Sequence, residues 1–231
     1  MRTIALMQPY LFPYTGYFSL IHSCDVFCFL DNVRWIKGGW INRNIVWSGT
    51  KTEWFTVPVE KIHLTDRIND VKIADPDFKR KLLERARQIY WDAPNGDLVF
   101  DIIDSLGSTE YVVELVENSI AKIAYSVLGL NRTILSSTNI PVESIGEYRV
   151  IDISKQLQAD RYINMVGGKE LYSKETFEFC GLELKFLTPS TPSYRKDNSG
   201  NPVPGNLSIL DALAYLDIEQ VQKMVTDYVL E

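Results

Sequence analysis

The pattern of apolar and polar positions at the start of the chain predicts a strand, a turn, a helix and a second strand. Residues 3–8 form a short apolar run closed by Pro9, as in a buried parallel strand. Apolar residues then recur at helical spacing over residues 16–24, and a second apolar run covers residues 25–31. This order is that of a βαβ unit, in which ligands bind at the carboxyl ends of the strands.

Hydrophobic periodicity along the rest of the chain predicts a hairpin, several helices and further strands. The hairpin joins residues 40–47 to residues 53–59 through a turn that contains Gly49. A Gly-Gly turn within residues 164–172 is expected to lead into a helix, and residues 188–206 to form a loop, ordered or mobile. Helices are predicted over residues 76–91, 97–106, 109–128, 145–157, 207–215 and 218–230, the second and third as antiparallel partners, and strands over residues 132–138, 161–163 and 181–187.

These elements predict an α/β fold, namely a Rossmann-like, open, mostly parallel sheet with a helical insertion and a β-hairpin. We expect a single domain over residues 1–231. Residues 1–60 hold the βαβ unit and the hairpin, residues 61–130 the helical insertion, and residues 131–231 the remaining strands and the C-terminal helices. With 45% hydrophobic and 23% charged residues, the composition is that of an ordinary globular protein with one core.

Charge and cysteine content narrow the class of protein. The net charge is −6 and the basic residues are scattered, which argues against an extended nucleic-acid surface. Cys24, Cys28 and Cys180 lack metal-binding spacing and are interpreted as buried thiols in a reducing cytosol, so no metal site is expected. The apolar runs are too short for a signal peptide or a membrane span. We therefore expect a soluble, cytoplasmic protein, and its oligomeric state is left open.

The loop after the first predicted strand is the first candidate ligand site. Gly16 permits a backbone conformation that other residues resist, and a helix that begins there directs free backbone N–H groups at the strand ends. Tyr10, Tyr14 and Tyr17 offer flat rings and phenol hydrogen bonds to a base or a sugar. Packing of these rings in the core, around the neighbouring prolines, is the alternative.

A second cluster follows the second predicted strand. Asp31 is a candidate general base, because a carboxylate placed there could orient a hydroxyl or an amine. Trp40, Asn42 and Arg43 add a ring, an amide and a guanidinium that could hold a carboxylate or a phosphate in two hydrogen bonds. A solvated, charged loop is the alternative.

Two more clusters lie in the second half of the chain. Asn164 precedes the glycine pair Gly167 and Gly168, where a helix start could hold an anion, although such turns are also common as plain structure. Asp197, next to Tyr194 in the predicted loop, is a second candidate base. Residues 206–208 contain Asn206 and Ser208, either of which could simply cap the following helix.

Six strings of sequence together resemble the WbqC-like family. They are QPYLFPYTGYFSLI at residues 8–21, WINRN at 40–44 with TVPV at 56–59, YINMVGGKELY at 162–172, SYRKDN at 193–198 and PGNLSILDAL at 204–213. The strings occur in this order over most of the chain, whereas residues 60–130 carry little of the resemblance.

The resemblance implies a role in bacterial O-antigen or other surface-polysaccharide biosynthesis. The family's proposed activity is the transfer of glycine onto an amino sugar, here one carried on a nucleotide, which makes the protein a transferase with a small-molecule substrate. No further cofactor is implied. The motif positions become candidate substrate-binding residues: Gln8, Tyr10, Pro13, Tyr14, Gly16, Tyr17, Trp40, Asn42, Arg43, Asn164, Gly167, Gly168, Tyr194 and Asn206.

A second resemblance concerns the architecture of the opening βαβ unit. Strand, proline-containing loop, Tyr14-Thr15-Gly16-Tyr17 and helix look like the start of the nucleotidylyltransferase type of Rossmann fold, where a His-x-Gly-His turn holds phosphates. Tyrosine stands at both histidine positions, and a phenol cannot supply a cation at neutral pH. Nucleotidyl or adenylyl transfer is therefore one alternative function, and sugar-nucleotide binding without catalysis is another.

Overall fold

The centre of the molecule is a six-stranded sheet, mostly parallel, accompanied by a separate two-stranded hairpin. This computed structural model describes residues 1–231 throughout. The strands are β1 Thr3–Met7, β2 Val26–Phe29, β3 Arg43–Trp47, β4 Thr52–Thr56, β5 Thr133–Ser136, β6 Arg161–Met165, β7 Glu183–Pro189 and β8 Tyr228–Leu230. The sheet has the order β5-β2-β1-β6-β7-β8, in which only β8 is antiparallel to its neighbour, and β3 pairs with β4 as the hairpin.

Eight α-helices surround the sheet. They are α1 Thr15–His22, α2 Phe78–Tyr90, α3 Gly96–Asp104, α4 Val112–Lys122, α5 Gly146–Gln156, α6 Lys174–Phe179, α7 Ile209–Tyr215 and α8 Ile218–Thr226. Helices α5 and α6 cover one face of the sheet and the other six lie on the opposite side. None of the helices is both long enough and apolar enough to cross a membrane.

Alternate residues of the central strands of the sheet face two different apolar cores, because successive side chains of a strand point to opposite faces. Phe27 and Phe29 of β2 pack in the larger core with the helices of the insertion, while Val26 and Cys28 pack in the smaller core with α5 and α6. Both faces of the sheet are thus covered, which is why the strand sequences are almost continuously apolar.

The order of the strands creates a switch point between β1 and β6. From β1 the chain moves outward through β2 to β5, and it then returns to the opposite side of β1 to form β6 and β7. The helices that follow β1 and β5 therefore leave in different directions and open a crevice at the carboxyl ends of β1 and β6. In open α/β sheets this is the usual position of the ligand.

The predicted Rossmann-like α/β fold, with its mostly parallel sheet and its hairpin, is confirmed, and most differences lie at the ends of elements. The last helix ends at Thr226 instead of residue 230, and Tyr228–Leu230 pairs with β7 as a strand. Apolar spacing does not foretell this change, because the pairing covers an edge that only the assembled sheet exposes. Helix α6 was not predicted as a separate element. Ser173 caps its start, where the Ser173 side chain accepts a hydrogen bond from the Thr176 N–H.

The packing of the helical insertion also differs from the prediction. Helix α3 forms as predicted, but it packs against α2 and α7 and is not the antiparallel partner of α4. The predicted long helix over residues 109–128 is α4 followed by a π-helical turn, Ile123–Val127. Gly129 then ends it with a φ of 68°, the left-handed conformation that a helix-terminating glycine supplies at little steric expense.

Candidate functional site

A cavity of about 420 Å³ lies at the switch point, at the carboxyl ends of β1 and β6. We call it the switch-point cavity. Its wall is mainly apolar, with a few polar groups, a composition typical of small-molecule sites. Seven of the residues predicted from the sequence line it, and they are Gln8, Tyr10, Tyr14, Tyr17, Asn164, Gly167 and Gly168.

The loop between β1 and α1 is held rigidly by the hairpin and by the start of α7. Phe12 has a φ of 41°, which is unusual for a residue other than glycine, and its carbonyl accepts hydrogen bonds from Asn44 Nδ2 at 3.0 Å and Ser208 Oγ at 2.8 Å. The Pro13 carbonyl accepts a third from the Ile209 N–H at 2.9 Å. These bonds compensate the backbone strain and fix the rings that follow.

Gly16 is needed for a reason other than the predicted one. It does not adopt a left-handed conformation, which falls instead on Phe12. A Cβ at Gly16 would lie 2.4 Å from the Tyr14 ring and 2.7 Å from Pro189 Cγ. The glycine therefore allows the start of α1 to pack closely against Tyr14 and the end of β7, and so determines where the Tyr14 ring lies.

The tyrosines of this loop divide into one with a bonded hydroxyl and two with free hydroxyls. Tyr17 is buried and donates its hydroxyl hydrogen to the Gln8 carbonyl at 2.8 Å. The hydroxyls of Tyr10 and Tyr14 bond to no other protein group, and burial raises the pKa of Tyr14 to about 12. Both phenols are therefore neutral near pH 7 and available to donate or accept a hydrogen bond with a ligand.

Asn164 and the glycine pair form the opposite wall. The Asn164 Oδ1 accepts a hydrogen bond from the Met165 N–H at 2.8 Å, which turns the NH₂ group toward Gly168. A Cβ on Gly168 would lie 2.6 Å from that nitrogen, whereas a Cβ on Gly167 would meet nothing within 4 Å. A side chain at position 168 would thus collide with the Asn164 amide, so glycine is required there. At position 167 the space beside the cavity wall is empty.

Several lining residues were not predicted from the sequence. They are Leu6, Met7, Leu30, Ile36, Met165, Leu171 and Tyr172. Most are apolar residues at strand ends, which resemble core residues in the sequence. Tyr172 had a signal, because it closes the string YINMVGGKELY, and burial raises the pKa of its hydroxyl as well. No carboxylate, imidazole or cationic side chain belongs to the lining.

The two candidate bases lie outside the switch-point cavity. Asp31 is buried, and its carboxylate accepts hydrogen bonds from Ser137 Oγ at 2.7 Å, the Thr138 N–H at 2.9 Å and Thr138 Oγ1 at 2.5 Å. Asp197 accepts the N–H groups of Ser199 at 2.8 Å and Asn201 at 2.9 Å, bonds that lower its pKa. Asp31 thus secures the turn after β5, and Asp197 closes a turn in its own loop.

The residues predicted from the hairpin region are also bonded within the protein. Asn42 Nδ2 donates to the Val57 carbonyl at 2.8 Å. The Arg43 guanidinium donates to the carbonyls of the two preceding glycines at 2.6 and 3.1 Å and lies over the Trp54 ring at 4.3 Å. Trp40 packs beside Trp54 with 5.3 Å between ring centroids, and both rings are partly exposed. This cluster is a surface feature outside the lining.

The strings SYRKDN and PGNLSILDAL meet in a buried cluster that we call the Asp211 clamp, formed by Tyr194, Arg195 and Asp211. Asp211 is fully buried and accepts hydrogen bonds from Tyr194 Oη at 2.7 Å and Arg195 Nη2 at 2.5 Å. Arg195 also lies 4.0 Å above the Tyr215 ring. The Tyr194 hydroxyl is therefore bonded within the fold. Asn206 is exposed, and Ser208 caps α7 by accepting a hydrogen bond from the Leu210 N–H.

Comparison with known proteins agrees with the family resemblance of the six strings of sequence. The chain is similar to an uncharacterised protein of Mycobacterium tuberculosis, with 22% identity over 216 residues that cover 92% of this chain and 93% of that protein. No solved structure matches the chain significantly. The model of the WbqC-like protein family matches residues 8–223, which include all of the residues that line the switch-point cavity except Leu6 and Met7. The chain belongs to the WbqC-like protein family.

Proposed function

We propose that this protein is a transferase of bacterial surface-polysaccharide biosynthesis that acylates or aminoacylates an amino sugar carried on a nucleotide. Glycine is the group we assign to the transfer, in line with the role proposed for the family. The observation that carries the proposal is the switch-point cavity, in which the free hydroxyls of Tyr10 and Tyr14 and the Asn164 amide interrupt an apolar wall. Such a lining suits the ring faces and hydroxyls of a sugar or a base.

The proposed reaction needs few charged groups. The neutral amine of the sugar attacks the carbonyl carbon of an activated acyl group, so that a C–N bond forms and the bond to the leaving group breaks. The amine proton goes to the leaving group or to water. We assign the Tyr14 hydroxyl and the Asn164 NH₂ group as hydrogen-bond donors to the carbonyl oxygen. No proton is routed through Asp31 or Asp197, because both carboxylates are bonded elsewhere.

Binding of a sugar nucleotide without catalysis is the second candidate. It is favoured by the lack of carboxylate, imidazole and cationic side chains in the lining. Nucleotidyl or adenylyl transfer has weaker support, since Tyr14 and Tyr17 stand where that type of fold carries its histidines. Magnesium-dependent release of pyrophosphate from ATP would separate this activity from the other two.

The test has two stages. Thermal shift with UDP-, dTDP- and GDP-linked amino sugars identifies a ligand, with Gly168→Ala as the variant that disturbs the Asn164 wall and Glu178→Gln as an exposed control. Mass spectrometry of mixtures with glycyl-adenylate or glycyl-tRNA then looks for the gain of one glycyl group on the sugar nucleotide. A gain supports the transferase, binding without any gain supports the binding protein, and no binding to any of these compounds contradicts both.

A further inference from the structure

Two arginines face each other directly beside the end of β2. Arg34 and Arg67 form an antiparallel bridge, with hydrogen bonds of 2.9 Å from the Trp35 N–H to the Asp66 carbonyl and from the Ile68 N–H to the Val33 carbonyl. Residues paired in this way carry their side chains on the same face and close together. Like charges opposite each other repel, so the pairing is unfavourable unless an anion compensates it.

A third arginine joins this pair from α5. The Arg149 guanidinium donates to Asn32 Oδ1, two residues before Arg34, while its Nε is buried without a hydrogen-bond partner. Burial and the neighbouring charge of Arg67 both lower the pKa of Arg149. We call Arg34, Arg67 and Arg149 the arginine cluster.

The arginine cluster lacks carboxylate partners. Arg80, Arg85, Arg161 and Arg195 all form ion pairs, but none of the three clustered arginines does. The adjacent carboxylate, Asp31, accepts hydrogen bonds from Ser137 and Thr138 and forms no ion pair with the cluster, although its charge partly offsets the lowering of the Arg149 pKa. In a chain with a net charge of −6, three unpaired guanidinium groups in one place are a local reversal of charge. Guanidinium groups bind phosphate oxygens through charge-assisted hydrogen bonds.

The arginine cluster is next to the switch-point cavity. Leu30 and Ile36 line that cavity, and the segment between them carries Asn32 and Arg34. Arg149 lies near the start of α5, the helix that connects β5 to β6 and so begins at the carboxyl edge of the sheet. A ligand with a ring in the cavity can therefore extend a charged group toward the arginines.

We propose that Arg34, Arg67 and Arg149 form an anion subsite that binds the diphosphate of a nucleotide-linked ligand held in the switch-point cavity. The nature of the ligand rests on the proposed function, but diphosphate binding itself does not require transfer. The proposal also explains how an acidic protein whose cavity lacks cationic side chains holds a doubly charged linker.

The test uses sodium pyrophosphate as the probe. Isothermal titration calorimetry at constant ionic strength measures its binding. The variant is Arg34→Gln with Arg67→Gln, chosen because both side chains are exposed, and circular dichroism checks that its fold is intact. The control is Arg80→Gln with Arg85→Gln, which removes the same charge from α2. We expect the variant to weaken pyrophosphate binding at least about tenfold and the control to leave it unchanged.

The possible results separate the subsite from the proposed function. Equal pyrophosphate affinity in the wild type and the variant, or no binding by the wild type, overturns the subsite. Orthophosphate that binds as tightly as pyrophosphate overturns its assignment to a diphosphate. Pyrophosphate binding that depends on the arginines, without any glycyl transfer, supports the subsite and contradicts the proposed transferase activity. Glycyl transfer that is unchanged in the variant contradicts the subsite and leaves the proposed transferase activity standing.

Discussion

The switch-point cavity and the Asp211 clamp are both built from family motifs, yet their polar groups are in opposite states. In the clamp, Asp211 is fully buried and its oxygens accept hydrogen bonds from Tyr194 and Arg195. At the cavity, the hydroxyls of Tyr10 and Tyr14 have no protein partner. The clamp uses its polar groups to join two segments of the chain, while the two free hydroxyls at the cavity join none.

This difference shows that a family motif can be retained for two reasons, the stability of the fold or the binding of a ligand. A buried carboxylate with a charged partner is strongly destabilising once the partner is lost, which restrains its sequence whatever the function. The rings of Tyr10 and Tyr14 pack against the larger core, but their hydroxyls join no other segment of the chain, and contact with a ligand is the role that we propose for them. The family motifs include both the switch-point cavity and the Asp211 clamp. Only the hydrogen bonds within the fold distinguish the two regions.

The largest expected effect comes from breaking the clamp. Asp211→Asn removes the charge that balances Arg195, and we expect it to lower the free energy of unfolding by about 3–5 kcal/mol. Urea denaturation measures this change, and Asp227→Asn, an exposed aspartate without an ion pair, is the matched control. A loss below about 1 kcal/mol would show that the clamp is not a structural pair.

Glu117 tests whether an incompletely bonded carboxyl group behaves differently from the clamp. Its Oε2 accepts from Ser136 Oγ at 2.6 Å, its Oε1 is buried without a partner, and burial raises its pKa from 4.5 to about 7. The folded state therefore binds this proton more tightly than the unfolded state, so the contribution of Glu117 to stability is greatest below about pH 4.5 and is lost as the pH rises through about 7.

Glu117→Gln should remove this loss. We expect the variant to be more stable than the wild type at pH 8 by about 1–3 kcal/mol and nearly equal to it at pH 4.5, where both side chains are uncharged. Thermal unfolding over this pH range measures the difference, with Glu178→Gln as an exposed control. Parallel stability curves for the variant and the wild type would refute the raised pKa.

The adjacent glycines of the cavity wall form a matched pair. Gly168→Ala places a Cβ against Asn164 Nδ2, so we expect a loss of about 1–3 kcal/mol in stability and of about tenfold in ligand affinity. Gly167→Ala meets no neighbour, and its stability should stay within about 0.5 kcal/mol of the wild type. If both variants bind the ligand from the thermal-shift panel equally well, the Asn164 amide has no part in binding.

The smallest effects should come from single hydroxyl groups. Tyr17→Phe removes a bond to the Gln8 carbonyl and should lower stability by about 1 kcal/mol, whereas Tyr14→Phe removes no protein contact and should leave stability unchanged. Ligand affinity should respond in Tyr14→Phe, with a decrease of about fivefold to tenfold. Calorimetric titration measures the affinity, and an unchanged value would remove Tyr14 from the site.

Part of the candidate site was predictable because of its position in the chain. Gln8 and Tyr10 follow β1, and Asn164 immediately precedes Met165, where β6 ends, so the strand pattern places them at the carboxyl edge of a parallel sheet. Asp31 also follows a strand and was predicted for the same reason. Its bonds come from Ser137 and Thr138, more than a hundred residues away, and no local pattern reveals such partners.

The sequence by itself determined the class of the fold, the family and the strand ends at which a ligand would be sought, because hydrophobic periodicity and turn residues act locally. Only the tertiary structure decided that β8 covers the β7 edge, that Gly16 is required by its contacts with Tyr14 and Pro189, and which polar groups remain free. Those outcomes depend on hydrogen bonds and contacts between residues distant in the chain, which exist only once the sheet and its helices have assembled.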